Sequence, residues 1–494
     1  MLQLKTVDLK KTKVETLVIP VCEDTQIYDN SAIVSIINKA KKLKEFQGEK
    51  NDEVILFSPL EIKAERVILL GLGKLDKIDL EVLRTVAGKA VKKCIKKNLS
   101  QVLIAVPSDK KIKIDMSRIL MSLMEGSFLG NHIYDKYKKE KKQKALKAIN
   151  FLVEPDTAKA FRKLPSTVKA VCTGTILARE WVNTPSNDKR PEQFARSIAT
   201  PARKVNLKVD ILTEKDLKQK KFGAMLAVAQ GSRSKPCMVC LEYKPKKFKT
   251  TVVLVGKGVT FDSGGINLKP TGSLDTMKMD MAGAATVAAA LIATAGLKPK
   301  IRVIGVLPIV ENMLSGDATR PGDIIKSYSG KTVEIGNTDA EGRLILADAM
   351  SYALKKYKPK VLIDMATLTG ACVVALGEKI AGLFSFDNDL SEIIIESGEN
   401  TYERCWRLPM PEDYKELLKS DFADINNMAN TRWGGAITAA LFLSEFVSDT
   451  RWAHIDIAGP AYIKKENAYC PAGGTGFGVR LICEVIHKLE SREA

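Results

Sequence analysis

At 494 residues the chain is longer than one compact core supports, so two domains are expected. Its hydrophobic content of 45% and charged content of 27% are those of an ordinary globular protein, which sets aside fibrous and disordered classes. The formal net charge is +19, and its excess is concentrated in residues 1–165, where 33 Lys+Arg face 21 Asp+Glu.

No apolar segment followed by a small-residue cleavage site opens the chain, and no run nears the ~18 apolar residues of a membrane-spanning helix. A cytoplasmic protein without membrane contact is the expectation. Nine cysteines without repeating spacing read as reduced, mostly buried thiols. The pair Cys237 and Cys240 has redox or zinc spacing, but the apolar residues around it indicate a buried strand.

In chain order, ETLVIPV (15–21), RVILLGLG (66–73) and QVLIAVP (101–107) have the short, apolar, β-branched character of buried parallel strands. AIVSIINKAKKLKEF (32–46) and LEVLRTVAGKAVKKCIKK (80–97) show helical spacing between them. This alternation predicts a small α/β domain over residues 1–165 with a mostly parallel sheet. The run KYKKEKKQK (136–144) predicts a solvated lysine-rich helix face, and the weakly patterned stretch 136–165 a domain boundary. A nucleic-acid contact through these lysines is the alternative, although no recognisable nucleic-acid module accompanies them.

Helical periodicity resumes in STVKAVCTGTILAREWVNTP (166–185). Strands are predicted at TTVVLVGKG (250–258), KIRVIGVLPIV (300–310), KVLIDMATL (360–368) and RWAHIDIAG (451–459). Helices at 282–296 and 341–357 separate some of them. Residues 166–494 therefore form a second, larger α/β domain with a central mixed, mostly parallel sheet.

The chemistry is concentrated at two predicted strand ends. The first carries Lys257, Asp262, Lys269 and Asp280; the second carries Asp339, Glu341 and Arg343 just before a helix. Ligands in open α/β sheets sit outside the carboxyl ends of strands. If D-A-E-G-R (339–343) is extended, its three charged residues share one face. Clustered carboxylates are costly unless a cation is clamped among them, and hard divalent ions answer that with oxygen ligands. A pair of such ions activates water against a scissile carbonyl. The chain holds three histidines and no HExxH, so any metal centre here is carboxylate-rich. Taken singly, each acid has a plain structural reading: a turn residue at Asp262, a helix N-cap at Asp280, a first-turn carboxylate at Glu341. His454, Asp456 and Asp364 read as structural.

These segments resemble the cytosol (leucyl) aminopeptidases of peptidase family M17. The resemblance rests on NTDAEGRL (337–344), GKGVTFDSGG (256–265), the segment KP…MKMDMAGAA (269–285), ATLTGA (366–371) and LAREWVNTPSN (177–187). It implies a metallo-exopeptidase acting on peptides, with two divalent ions (Zn2+, Mn2+ or Mg2+) per subunit. Asp262 and Glu341 would bridge the ions, Asp339 would complete the more exchangeable site, and Lys257 and Asp280 the tighter one. Lys257 would then be neutral, with a strongly depressed pKa. Lys269 would stabilise the developing gem-diolate oxygen, and Arg343 would hold a bicarbonate ion as general base. Asn337, Met277, Thr367, Gly370 and Ala458 would contact substrate, together with Ala461, where family members often carry a bulkier apolar residue. The resemblance also implies a homohexamer, and some bacterial members of the family bind DNA. A dimetal phosphoesterase is the rival hydrolase, disfavoured by the lysine ligand and the lack of a phosphate-cradling glycine loop.

Overall fold

The computed structural model describes residues 2–493 and divides into two compact units. One holds the described residues through Cys172 together with Lys465–Ala472; the other holds Thr173–Lys464 and the described residues from Gly473 onward.

The first unit is built on β1 (Leu2–Lys5), β2 (Val14–Cys22), β3 (Glu53–Phe57), β4 (Ala64–Gly73), β5 (Gln101–Ala105) and β6 (Ala148–Leu152). Their order is β1-β6-β5-β2-β4-β3, parallel throughout except for β3 at the edge. One expectation is corrected here. The lysine run 136–144 is an exposed irregular segment, not a helix face. With few apolar residues at helical spacing, it has nothing to bury against a neighbour. Within 136–165, AINFL (148–152) supplies β6, which lies between β1 and β5, and a continuous helix runs from Leu164 to Asn183.

The second unit contains β7 (Lys208–Leu212), β8 (Cys237–Tyr243), β9 (Thr251–Gly256), β10 (Gly258–Asp262), β11 (Arg302–Asn312), β12 (Ile324–Lys326), β13 (Thr332–Glu334), β14 (Val361–Ala366), β15 (Ala381–Phe384), β16 (Cys405–Arg407), β17 (Ile425–Asn426) and β18 (Arg451–Asp456). Nine strands form one mixed sheet in the order β16-β15-β18-β14-β9-β11-β8-β7, with β10 beside β11. The centre, β18, β14, β9 and β11, is parallel. Such strands are covered on both faces and therefore read as unbroken apolar runs. In β9, Val252 and Leu254 enter one core cluster, and Val253 and Val255 the other. The helix Ala282–Leu297 covers the first face and Glu341–Tyr357 the second. Cys237 and Cys240 also point into opposite clusters, with burial raising their thiols to about 12 and about 11, so the CxxC spacing builds a core strand rather than a site. All nine cysteines are buried.

Two glycines set how closely the helix Ala282–Leu297 approaches the sheet. A Cβ on Gly283 would stand 2.1 Å from Met365 O, and one on Gly256 would stand 2.5 Å from Gly283 O. The contact this permits is knitted by main-chain bonds from Ala284 N to Lys257 O (2.8 Å) and from Lys257 N to Met365 O (3.0 Å). Strand end and helix start are thereby locked together, and Lys257 and Asp280 with them. Gly283→Ala is expected to lower stability by about 1–3 kcal/mol, because backbone has to move to admit the methyl. Chemical denaturation checks this; an unchanged midpoint and slope would show that the contact yields freely.

Candidate metal centre

Four chain segments converge at the carboxyl ends of the central strands. Lys257 directly follows β9, Asp262 ends β10, Asp280 follows a single 3-10 turn at Met277–Met279, and Asp339 precedes the helix Glu341–Tyr357. Glu341 and Arg343 are the first and third residues of that helix. The shared-strand-face expectation for Asp339, Glu341 and Arg343 is corrected accordingly. The segment is a loop turning into a helix, because Gly336 and the short polar residues after it favour a turn over a ladder.

Lys257 Nζ lies 2.9 Å from Asp280 Oδ1 and 2.8 Å from Glu341 Oε1, and donates to Thr367 O at 2.8 Å. Thr367 Oγ1 donates to the same Asp280 Oδ1 at 2.7 Å. Lys269 Nζ bridges Asp262 Oδ2 (2.8 Å) and Asp339 Oδ1 (2.5 Å). Its loop turns back through Gly264, whose φ of +88° and whose position, with a Cβ falling 2.4 Å from Asn267 O, both demand glycine.

Four carboxylates thus face two ammonium groups, a formal deficit of two positive charges in a largely buried space. Burial, joined by repulsion from Asp262 and Glu341, pushes Asp339 up to about 7. Burial likewise raises Asp280 well above the usual carboxylate range. For both lysines burial opposes the charge, but the surrounding carboxylates outweigh it and hold them above the ordinary lysine range. In the chain alone Lys257 is thus held as the protonated ammonium. With only the chain's own charges counted, the ammonium is itself the counter-cation.

The donor set fits divalent ions. One oxygen each from Asp262, Asp280 and Glu341 lies within 4.8 Å of the others, and all three residues are buried. Among the described residues, Asp280 Oδ2 is buried and meets no hydrogen-bond partner. An unpaired buried carboxylate oxygen beside other hard oxygen donors is what a cation would complete.

Comparison with known proteins decides the family. Residues 176–483 match the profile of the cytosol aminopeptidase family catalytic domain, and residues 12–141 that of its N-terminal domain. The chain belongs to the cytosol aminopeptidase family. A probable cytosol aminopeptidase of Chlorobium phaeobacteroides is 40% identical over 97% of this chain and 98% of its own length. A tomato leucine aminopeptidase mutant superposes with a TM-score of 0.86 at 32% identity, covering 99% of this chain and 96% of its own. The bottromycin maturation enzyme BotP in complex with Mn also superposes at 0.86 and 32%, covering 96% of this chain and 99% of its own. The protein is a metallo-aminopeptidase, a hydrolase of a divalent-metal-dependent family.

Around the centre of this aminopeptidase stand further polar residues, of which Asn312 is marked by no sequence pattern. Asn312, the last residue of β11, donates from Nδ2 to Asp262 Oδ1 (2.8 Å) and to Thr338 O (3.2 Å). Gly264 N adds a second bond to Asp262 Oδ1 (2.9 Å), which leaves Oδ2 facing the centre. Asp456 accepts from Leu368 N (3.0 Å) and Ala458 N (3.1 Å) on one oxygen, and from Thr369 N (3.0 Å) and Thr369 Oγ1 (2.7 Å) on the other. It ties the Thr367–Gly370 segment to Ala458. His454 Nδ1 meets Asp364 Oδ1 at 2.6 Å, and Trp452 Nε1 donates to Asp364 Oδ2 at 2.7 Å, a buried polar group inside the sheet.

Of the residues expected to contact substrate, Met277, Asn337 and Ala458 are half-buried and Gly370 is exposed. Thr367 is buried on Asp280, and Asn337 Oδ1 accepts Asp339 N at 2.7 Å. Ala461 is 3% exposed and belongs to the core cluster that contains Met281 and Ile457.

Helix Glu341–Tyr357 is kept close to Lys257 by Gly342, where a Cβ would stand 2.7 Å from Lys257 Cε and 2.8 Å from its Nζ. Gly342→Ala is expected to displace the lysine and to lower Mn2+ affinity and kcat/KM together by about 10- to 100-fold, with secondary structure retained. Calorimetric Mn2+ titration beside steady-state kinetics tests this, and wild-type values for both would refute it.

Proposed function

We propose that the enzyme releases leucine and other apolar residues, one at a time, from the amino termini of peptides. Lys257, Asp262, Asp280, Asp339 and Glu341 are the residues that would hold two divalent cations. The observation carrying this reading is the convergence of Asp262, Asp280 and Glu341 about Lys257 with Asp280 Oδ2 left unpartnered. When bound, the cations supply Lewis-acid polarisation of the scissile carbonyl and an activated water, and a bicarbonate ion supplies the proton acceptor.

The chain's own part is electrostatic. Lys269, held between Asp262 and Asp339, keeps its proton and is positioned as the donor to the carbonyl oxygen as negative charge grows there. Arg343 is lowered to about 10 by burial and is still cationic at neutral pH. Its Nη1 donates to Asn427 O at 2.7 Å, while Nε is buried without a hydrogen-bond partner among the described residues. A fixed guanidinium with an unused donor suits an anion such as bicarbonate. Met277, Asn337, Thr367, Gly370, Ala458 and Ala461 form the substrate contacts in this reading. The small side chain at Ala461 widens the pocket toward larger or aromatic residues. The enzyme works in the cytoplasm as a homohexamer.

A panel of Leu-, Met- and Phe-anilides with Mn2+, run on the wild type and on Glu341→Gln, tests the reading. The wild type is expected to turn over the Met and Phe substrates faster than Leu, and the variant to lose metal and activity together. An active variant overturns the metal assignment, and a flat or Leu-dominated profile the wide pocket. The exposed lysines of 136–144 support a second, coexisting role in binding duplex DNA. A mobility shift at ~50 mM salt that weakens steeply as salt rises is the expected result, and no shift at that salt removes the role.

A further inference from the structure

Asn427 is fully buried and directly follows the short strand β17, outside every segment that the sequence motifs single out. Its side chain makes four hydrogen bonds, all to one loop. Oδ1 accepts from Gly336 N (2.8 Å) and Asn337 N (3.2 Å), and Nδ2 donates to Asn337 O (2.8 Å) and Ala340 O (3.4 Å). The main chain adds two more: its N–H donates to Glu334 O (2.9 Å), and its carbonyl accepts Arg343 Nη1 (2.7 Å). One residue therefore clasps both ends of the segment that carries Asp339, Glu341 and Arg343. A carboxamide suits the task because one end accepts and the other donates without charge. A carboxylate would turn the two donated bonds into oxygen–oxygen repulsion, and an aliphatic side chain would leave buried backbone groups unpaired.

We propose that Asn427 is a positioning residue for the aminopeptidase reaction. It sets Asp339, Glu341 and Arg343 against the Lys257–Asp280 half of the centre, and through them it governs the affinity for the cation that Asp339 completes more strongly than for the other. The inference rests on the two-cation reading above. Asp339 hangs from the clasped loop through Asn337 Oδ1. Lys257 and Asp280 are tied instead to Met365 O and Thr367, in segments that Asn427 does not hold. Glu341, on the same segment, is also held by Lys257 Nζ at 2.8 Å, so loosening the loop frees the Asp339 half most and the Lys257–Asp280 half less.

The test is calorimetric titration of Mn2+ into full-length Asn427→Ala, beside turnover of a leucine anilide. One Mn2+ is expected to bind about 10- to 100-fold more weakly and the other no more than about threefold, with kcat falling by a factor similar to the first. KM is expected to stay within about threefold, since a lost transition-state contact appears in kcat. Asn427→Asp keeps the bonds accepted from Gly336 and Asn337 and loses both donated ones, so it is expected to show the same selective weakening and serves if the alanine variant does not fold. Wild-type isotherms and kcat in the variants overturn the proposal. So does equal weakening of both ions with a lowered melting midpoint, the mark of a merely structural residue. A wild-type chain that takes up no Mn2+ overturns the two-cation reading itself, and this inference falls with it.

Discussion

Four carboxylates and two lysines share one largely buried space, and the resulting shortage of positive charge is the constraint on which the rest of the catalytic unit depends. Buried charge is tolerated only when compensated. Here Lys257 and Lys269 meet part of the demand, and the raised pKa values of Asp280 and Asp339 show that part is left over. A divalent-metal hydrolase needs that residue of negative charge to attract its ions.

Holding such a site open requires rigid surroundings, and the fold supplies them by close approach of backbone. Gly256 and Gly283 bring a helix start onto a strand end, and Gly342 brings a second helix against the stem of Lys257. None of these contacts admits a side chain. A layer of neutral or fully bonded polar groups then aims the charged residues. Asn312 turns Asp262, Asp456 secures the Thr367–Gly370 segment, and Asn427 clasps the loop that bears Asp339. Mutually satisfied buried hydrogen bonds of this kind narrow the geometry more than they add stability.

Much of the fold is legible locally. The central strands β9, β11, β14 and β18 are unbroken apolar runs because both their faces are covered, and the helix over 341–357 follows from its spacing alone. Errors fall where tertiary context outweighs local pattern. AINFL looks too short and too isolated among lysines to be a strand, yet β1 and β5 give it partners on both sides. The segment D-A-E-G-R has the alternation of a strand, but it folds as a loop and helix start, and Asn427 and Asn267 take up backbone groups of the loop 336–340 that leads into it.

By itself the sequence determined which groups do the chemistry: near-absence of histidine, two lysines and a set of acids at strand ends, and an eight-residue signature that assigns the family. Those are properties of composition and local spacing, which a linear text preserves. Only the tertiary structure decided which oxygens face inward, that Lys257 Nζ stands between Asp280 and Glu341, and which distant carboxamides orient them. The hydrogen bonds of Asn312 and Asn427 join segments some 50 to 90 residues apart. An asparagine carries no periodicity or motif of its own, so its partners appear only when the chain has closed upon itself.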